Sequence, residues 1–189
     1  MYLSIEALKA YLNITSAADD ALLTDLLDSA QKAIESYCRR RFEATTTTRY
    51  YRADSVYGDV LHLDDDLLSV TTLTNGEGTV ITSANYFLEP RNETPKGRIR
   101  LKSGYTWTFN TDGEISIAGS WGWSSTPPAD VVQAVKRLCA FEYKQRDAQI
   151  FETVALPEIG ELRIPPGIPP DVKLLLAPFV RVTDVVDFG

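Results

Sequence analysis

The chain has 189 residues, 44% of them hydrophobic and 24% charged, which excludes a disordered chain and allows one substantial core or two small lobes. A formal net charge of −7 disfavours broad binding to a polyphosphate and leaves room only for a local basic patch. No apolar run is long enough to span a bilayer, and Met1-Tyr2-Leu3-Ser4 lacks the parts of a signal peptide, so a reducing cytoplasmic setting is expected.

In chain order, Ser4 is placed to cap a short helix through Leu12, with Ile5, Leu8 and Leu12 on one stripe and Asn13 ending it. A polar link then leads into the strongest helical pattern, where Leu23, Leu27, Ala30, Ile34 and Tyr37 recur at steps of three and four. Asp19 and Asp20 sit at its positive end and Arg39, Arg40 and Arg41 at its negative end, as the helix dipole favours.

After Phe42 the pattern turns to alternation. Strands are predicted in Thr45–Tyr51, Val60–Leu63, Val70–Thr74, Val80–Thr82, Arg98–Lys102 and Glu114–Ile117, with a tight hairpin over Asn75-Gly76-Glu77-Gly78 and another turn at Asp112-Gly113. About six or seven short strands form an antiparallel sheet or sandwich, since no helical pattern interrupts them. Trp107, Phe109, Trp121 and Trp123 are expected to fill its core or its contact with the helices.

At Thr126-Pro127-Pro128 the helical pattern returns, with Thr126 as cap, and Val131, Val135, Leu138 and Cys139 as the buried stripe. Two far-apart helical segments that need each other for burial place Leu27 and Val135 in one core. Cys38 and Cys139, the only cysteines, are expected there as buried thiols near each other. Past Gln149 the proline-punctuated stretch reads as an irregular arm, followed by a brief helix from Pro170 that Pro178 stops, and an apolar tail. The fold class is therefore α+β: a small helical bundle over 1–42 and 127–181, an inserted antiparallel β lobe over 43–126, and an extended C-terminal arm ending in a tail at 182–189.

Catalytic signals are weak. His62 is the sole histidine, so a histidine-based triad or a zinc cluster cannot be assembled in the usual way. His62-Leu63-Asp64-Asp65-Asp66 lacks the spacing and glycine of a calcium loop and reads as a solvated strand end with a turn. Gly119-Ser120-Trp121-Gly122-Trp123 has the wrong spacing for a phosphate loop or a nucleophile elbow, and its glycines fit a bulge or close aromatic packing. Glu142 and Arg146 are spaced to pair along one helix face. No catalytic residue, metal or cofactor is predicted.

The opening Tyr2-Leu3-Ser4-Ile5-Glu6-Ala7-Leu8-Lys9, Asp20-Ala21-Leu22-Leu23 and Tyr37-Cys38-Arg39-Arg40-Arg41-Phe42 resemble the head-tail connector (adaptor, head-completion) proteins of tailed bacteriophages. The resemblance continues in Pro128-Ala129-Asp130-Val131-Val132-Gln133-Ala134-Val135, Glu142-Tyr143, Arg146-Asp147, and Pro170-Asp171-Val172-Lys173-Leu174-Leu175 with Pro178-Phe179-Val180-Arg181. It covers most of the chain, and the strand-rich insertion departs from the nearly all-helical simpler members.

That resemblance implies a non-enzymatic virion protein of the head-tail junction, assembled in the host cytoplasm. It implies a ring, commonly dodecameric, beneath the portal protein, through which packaged DNA passes without sequence-specific binding. A stopper or tail-completion protein would sit on the ring, and no membrane is involved. In that setting the tail residues Val182, Thr183, Val185, Val186 and Phe188 are expected to dock onto the portal by strand addition. Arg39, Arg40, Arg41 and Arg146 are candidates for DNA-channel or subunit contacts, against a simpler reading as solvated charge.

Two other readings compete. A stand-alone protein- or glycan-binding module would expose Tyr50, Tyr51, Tyr57, Trp121 and Trp123 on the lobe. A hydrolase would pair carboxylates such as Asp64 and Glu114, a reading that rests on nothing beyond the presence of acids.

Overall fold

The computed structural model describes residues 2–110, 113–147, 153–156, 160–163 and 167–181. The chain divides into two compact units, Met1–Arg39 with Pro127–Gly189, and Arg40–Thr126. Among the described residues the fold is α+β, with four α-helices and a six-stranded antiparallel sheet.

In the first unit, α1 (Ile5–Leu12) is capped by the Ser4 hydroxyl, which accepts from the Ala7 N–H at 3.3 Å, and ends at Asn13 in the left-handed conformation. Leu8 is its one fully buried side chain. α2 (Asp20–Cys38) buries Leu23, Leu27, Ala30, Ile34 and Cys38. The stripe ends on Cys38, and Tyr37 lies only half-buried. α3 (Ala129–Asp147) starts where the Pro128 carbonyl accepts from the Val132 N–H, so Pro128, and not the expected Thr126, stands at the N-cap position. It buries Val131, Ala134, Val135, Leu138 and Cys139.

α2 and α3 pack against each other. The Cys139 thiol reaches the Leu26 carbonyl at 3.6 Å, and one turn on, the Tyr143 hydroxyl donates to Asp19 at 2.8 Å. Advancing along α3 thus means retreating along α2, and the pair is antiparallel with Leu27 and Val135 in the same unit. Both cysteines are buried free thiols, but they are not neighbours. Cys38 lies twelve residues beyond Leu26, about 18 Å further along the axis of α2. α4 (Pro170–Leu176) buries Val172 and Leu176, packs on α3 and is tied to it by Arg137 and Asp171 at 3.0 Å.

Within the stretch expected to be irregular, β7 (Thr153–Leu156) and β8 (Gly160–Arg163) form an antiparallel pair from Thr153 opposite Arg163 to Leu156 opposite Gly160. Local strand pairing outcompetes the proline signals there, because the prolines flank the two strands and stand outside them.

The second unit holds β1 (Thr45–Tyr51), β2 (Val56–Tyr57), β3 (Val60–Thr74), β4 (Tyr86–Glu89), β5 (Lys96–Leu101) and β6 (Ile115–Trp121). Their order is β1-β6-β3-β5-β4, with β2 also on β3, and every pairing is antiparallel. β6 alternates buried and half-buried along its whole length, as a strand with one core face must. Its buried residues join Tyr51, Leu61, Leu67, Leu73, Ile99, Leu101 and Trp107 in one core.

Two predicted strands, Val60–Leu63 and Val70–Thr74, prove to be one long strand, β3. The Asn75-Gly76-Glu77-Gly78 turn exists, with Gly78 at φ +96° and the Asn75 N–H donating to Thr79 at 2.8 Å. Its second arm is a single bridge from Thr74 to Val80 and not a strand. Residue 112 of the predicted Asp112-Gly113 turn lies outside the described residues.

Candidate functional site

The acidic triplet inside β3 organises the lobe. His62 pairs with Arg98 and Leu67 with Lys96, so Asp64, Asp65 and Asp66 are the surplus of β3 over β5, bulged out of the ladder. The predicted solvated strand end is therefore a bulge within a strand, and two arginines hold it. Arg40 donates to Asp66 at 2.6 Å, and Arg49 donates to Asp64 at 3.0 Å and to Asp65. Each guanidinium also lies over an indole, Arg40 over Trp123 at 4.6 Å and Arg49 over Trp121 at 5.0 Å.

Asp66 is 4% exposed, so its charge is sustained by the Arg40 partnership rather than by water. The Tyr51 hydroxyl donates to Asp64 at 2.6 Å. Burial and that neighbouring carboxylate push the Tyr51 phenol well above its ordinary range, which keeps it a proton donor at all physiological pH. The base of the lobe closes beside this cluster: the Trp123 N–H donates to Arg41 at 2.8 Å and the Ala44 N–H to Ser124 at 3.0 Å.

The basic triplet divides. Arg40 is consumed in this cluster, whereas Arg39 and Arg41 have exposed side chains. α2 ends at Cys38, so none of the three lies in its last turn; Arg39 takes a left-handed cap position at φ 52°, its N–H donating to Glu35. Arg146 is exposed on the last turn of α3. Glu142 is half-buried, and burial raises its carboxyl above the usual range. The tail residues Val182, Thr183, Val185, Val186 and Phe188 lie outside the described residues.

The aromatic set does not form one exposed surface. Tyr51 and Trp121 are 5% and 1% exposed and stack inside the lobe at 6.3 Å, Trp123 lies partly covered under Arg40, and only Tyr50 and Tyr57 are open. A recognition platform built on these five is overturned by the burial of its two central members. Asp64 and Glu114 do not share a proton either: Asp64 is held by Arg49 and Tyr51, and Glu114 by Arg52 at 2.8 Å. Among the described residues, no group of histidine, cysteine or carboxylate side chains is placed to hold a metal, and no helix is long and apolar enough to cross a membrane.

Sequence reasoning missed the Arg40–Asp66 and Arg49–Asp65 pairs. The available signal was that three consecutive acids inside a strand-forming stretch require cations from elsewhere, and Arg40 and Arg49 flank the start of the lobe.

The fold has solved counterparts. The neck of an empty gene transfer agent (GTA) particle, computed with C6 symmetry, contains a chain 22% identical with a TM-score of 0.64, over 97% of this chain and 92% of that one. Chains in the virion of the native GTA particle (24% identical) and in its neck computed with C12 symmetry (23%) match with the same TM-score and coverage. No curated protein sequence is similar to this chain. The family model described as head completion protein matches residues 2–172, taking in both helical segments and the whole lobe. On that match the chain belongs to the head completion protein family, structural components of the phage head-tail junction.

Proposed function

We propose that this protein is an adaptor of the neck: a ring, dodecameric in the mature particle, that docks beneath the portal, extends the DNA channel and carries a stopper or tail-completion protein. The family match over residues 2–172 carries the reading. It is supported by likeness over 97% of the chain to subunits of particle necks computed with C6 and C12 symmetry. A ring of identical copies needs a heterologous contact, in which two different faces of the subunit meet. Arg39, Arg41 and Arg146, whose side chains are exposed, are assigned to such a contact or to DNA in the channel, ahead of Arg40, which is bonded to Asp66. The subunit assembles in the host cytoplasm and ends in the virion.

Light scattering on the full-length protein, alone and mixed with its portal protein, tests this. The expected result is a small species alone and a ring-sized complex with portal; a mixture that elutes as two unassociated components would overturn it.

A further inference from the structure

Among the described residues the chain forms two sheets, and each has an outer strand paired on one side only. β1 is an outer strand of the lobe sheet, paired with β6 and with no other strand among the described residues. Thr45, Thr46, Thr47 and Thr48 are all exposed. Native sheets guard an open edge with lysines, proline, bulges or brevity. β1 has none of these: it runs seven residues in unbroken register with β6, contains no proline, and its one charge, Arg49, is engaged with Asp64 and Asp65.

The other sheet is β7 with β8, two four-residue strands that pair with each other and with no further strand among the described residues. A two-stranded sheet of this size is marginal by itself in water and gains stability from a third strand. β7 reads Thr-Val-Ala-Leu, uncharged, and matches in length the four exposed threonines of β1.

We propose that in the assembled ring β7 of one copy adds to β1 of the next, fusing the two sheets across each subunit boundary. The inference rests on the ring reading above. β1 and β7 are different surfaces, so the contact is heterologous and propagates from copy to copy instead of closing at a dimer. Backbone hydrogen bonds along the open edge supply the attraction, and threonine opposite threonine or valine is a favourable cross-strand combination. Neither Thr45–Thr48 nor β7 carries a charge, so none has to be desolvated along that pairing.

The test is a Thr46→Cys, Val154→Cys double variant of the full chain, oxidised after mixing with portal protein and run without reductant, with assembly mass measured in parallel. The native thiols are buried, and burial pushes the Cys139 thiol up to about 12, so they do not compete. A ladder of linked chains that requires both new cysteines supports the inference. Rings of full mass without a ladder overturn it and leave the ring reading standing, as does a link formed within single chains. Linked chains without a ring-sized complex keep the strand pairing and remove the ring, and neither rings nor links removes both. As a second variant, Thr46→Lys with Thr48→Lys places guarding charges on an exposed edge. It is expected to keep the folded far-ultraviolet spectrum and lose ring assembly; undiminished assembly overturns the inference.

Discussion

Gly119 shows how one residue sets the lobe's packing. A Cβ there would stand 2.2 Å from the Ser69 carbonyl oxygen of β3, which is backbone and cannot rotate away. Gly119→Ala is expected to destabilise the lobe by about 2 kcal/mol, the scale of an overpacked core, read as a lower urea midpoint. Glu142 works in the opposite direction. Its folded-state carboxyl is raised by burial, so its contribution is fully present below the ordinary carboxylate range and is lost as pH rises through the folded value. At neutral pH the ionised side chain therefore opposes folding. Glu142→Gln should raise the melting temperature at neutral pH and give no gain in acid, with thermal scans at both pH values as the check. The position was legible in the sequence only as a candidate partner for Arg146; its half-burial is a tertiary fact.

At the scale of elements, helices were the most legible because their signals are local. Ser4 capping α1, Asn13 ending it and the buried stripe of α2 all follow from spacing and side-chain chemistry within a few residues. The end of α2 is the instructive departure. Its cap is Arg39 in a left-handed conformation, which costs a residue with a Cβ about 1 kcal/mol relative to glycine. Arg39→Gly should therefore raise the unfolding free energy by about 1 kcal/mol in chemical denaturation. If the same variant assembles poorly on portal, the arginine serves the assembly rather than the fold. β3 was read as two strands because its acidic middle lacks any core-facing pattern. Arg40 and Arg49 turn that middle into a bulge within one strand, and partners so far away in sequence leave no local trace.

For the whole molecule, the chain enters and leaves the lobe through neighbouring segments, joined by the Trp123–Arg41 and Ala44–Ser124 backbone bonds. The lobe also has its own core, from Tyr51 and Leu61 to Ile117 and Trp121. A fragment of residues 40–126 is therefore expected to fold alone with a cooperative urea transition, followed by tryptophan fluorescence. A transition without cooperativity would mean that the lobe depends on the helical unit.

The sequence by itself determined the composition of the two units: the helical stripes, the alternation of β5 and β6, and the ordered set of segments that marks the family. Hydrophobic periodicity is a property of neighbours along the chain, so it survives in one dimension. Tertiary structure decided which arginine is exposed and which is bonded to Asp66, which aromatics are core and which surface, and that Cys139 of α3 meets α2 near Leu26, far from Cys38. It also decided that β1 pairs with β6 and with no other strand among the described residues. Those outcomes depend on groups brought together from distant positions, and the energy of such meetings is nowhere written in the local pattern.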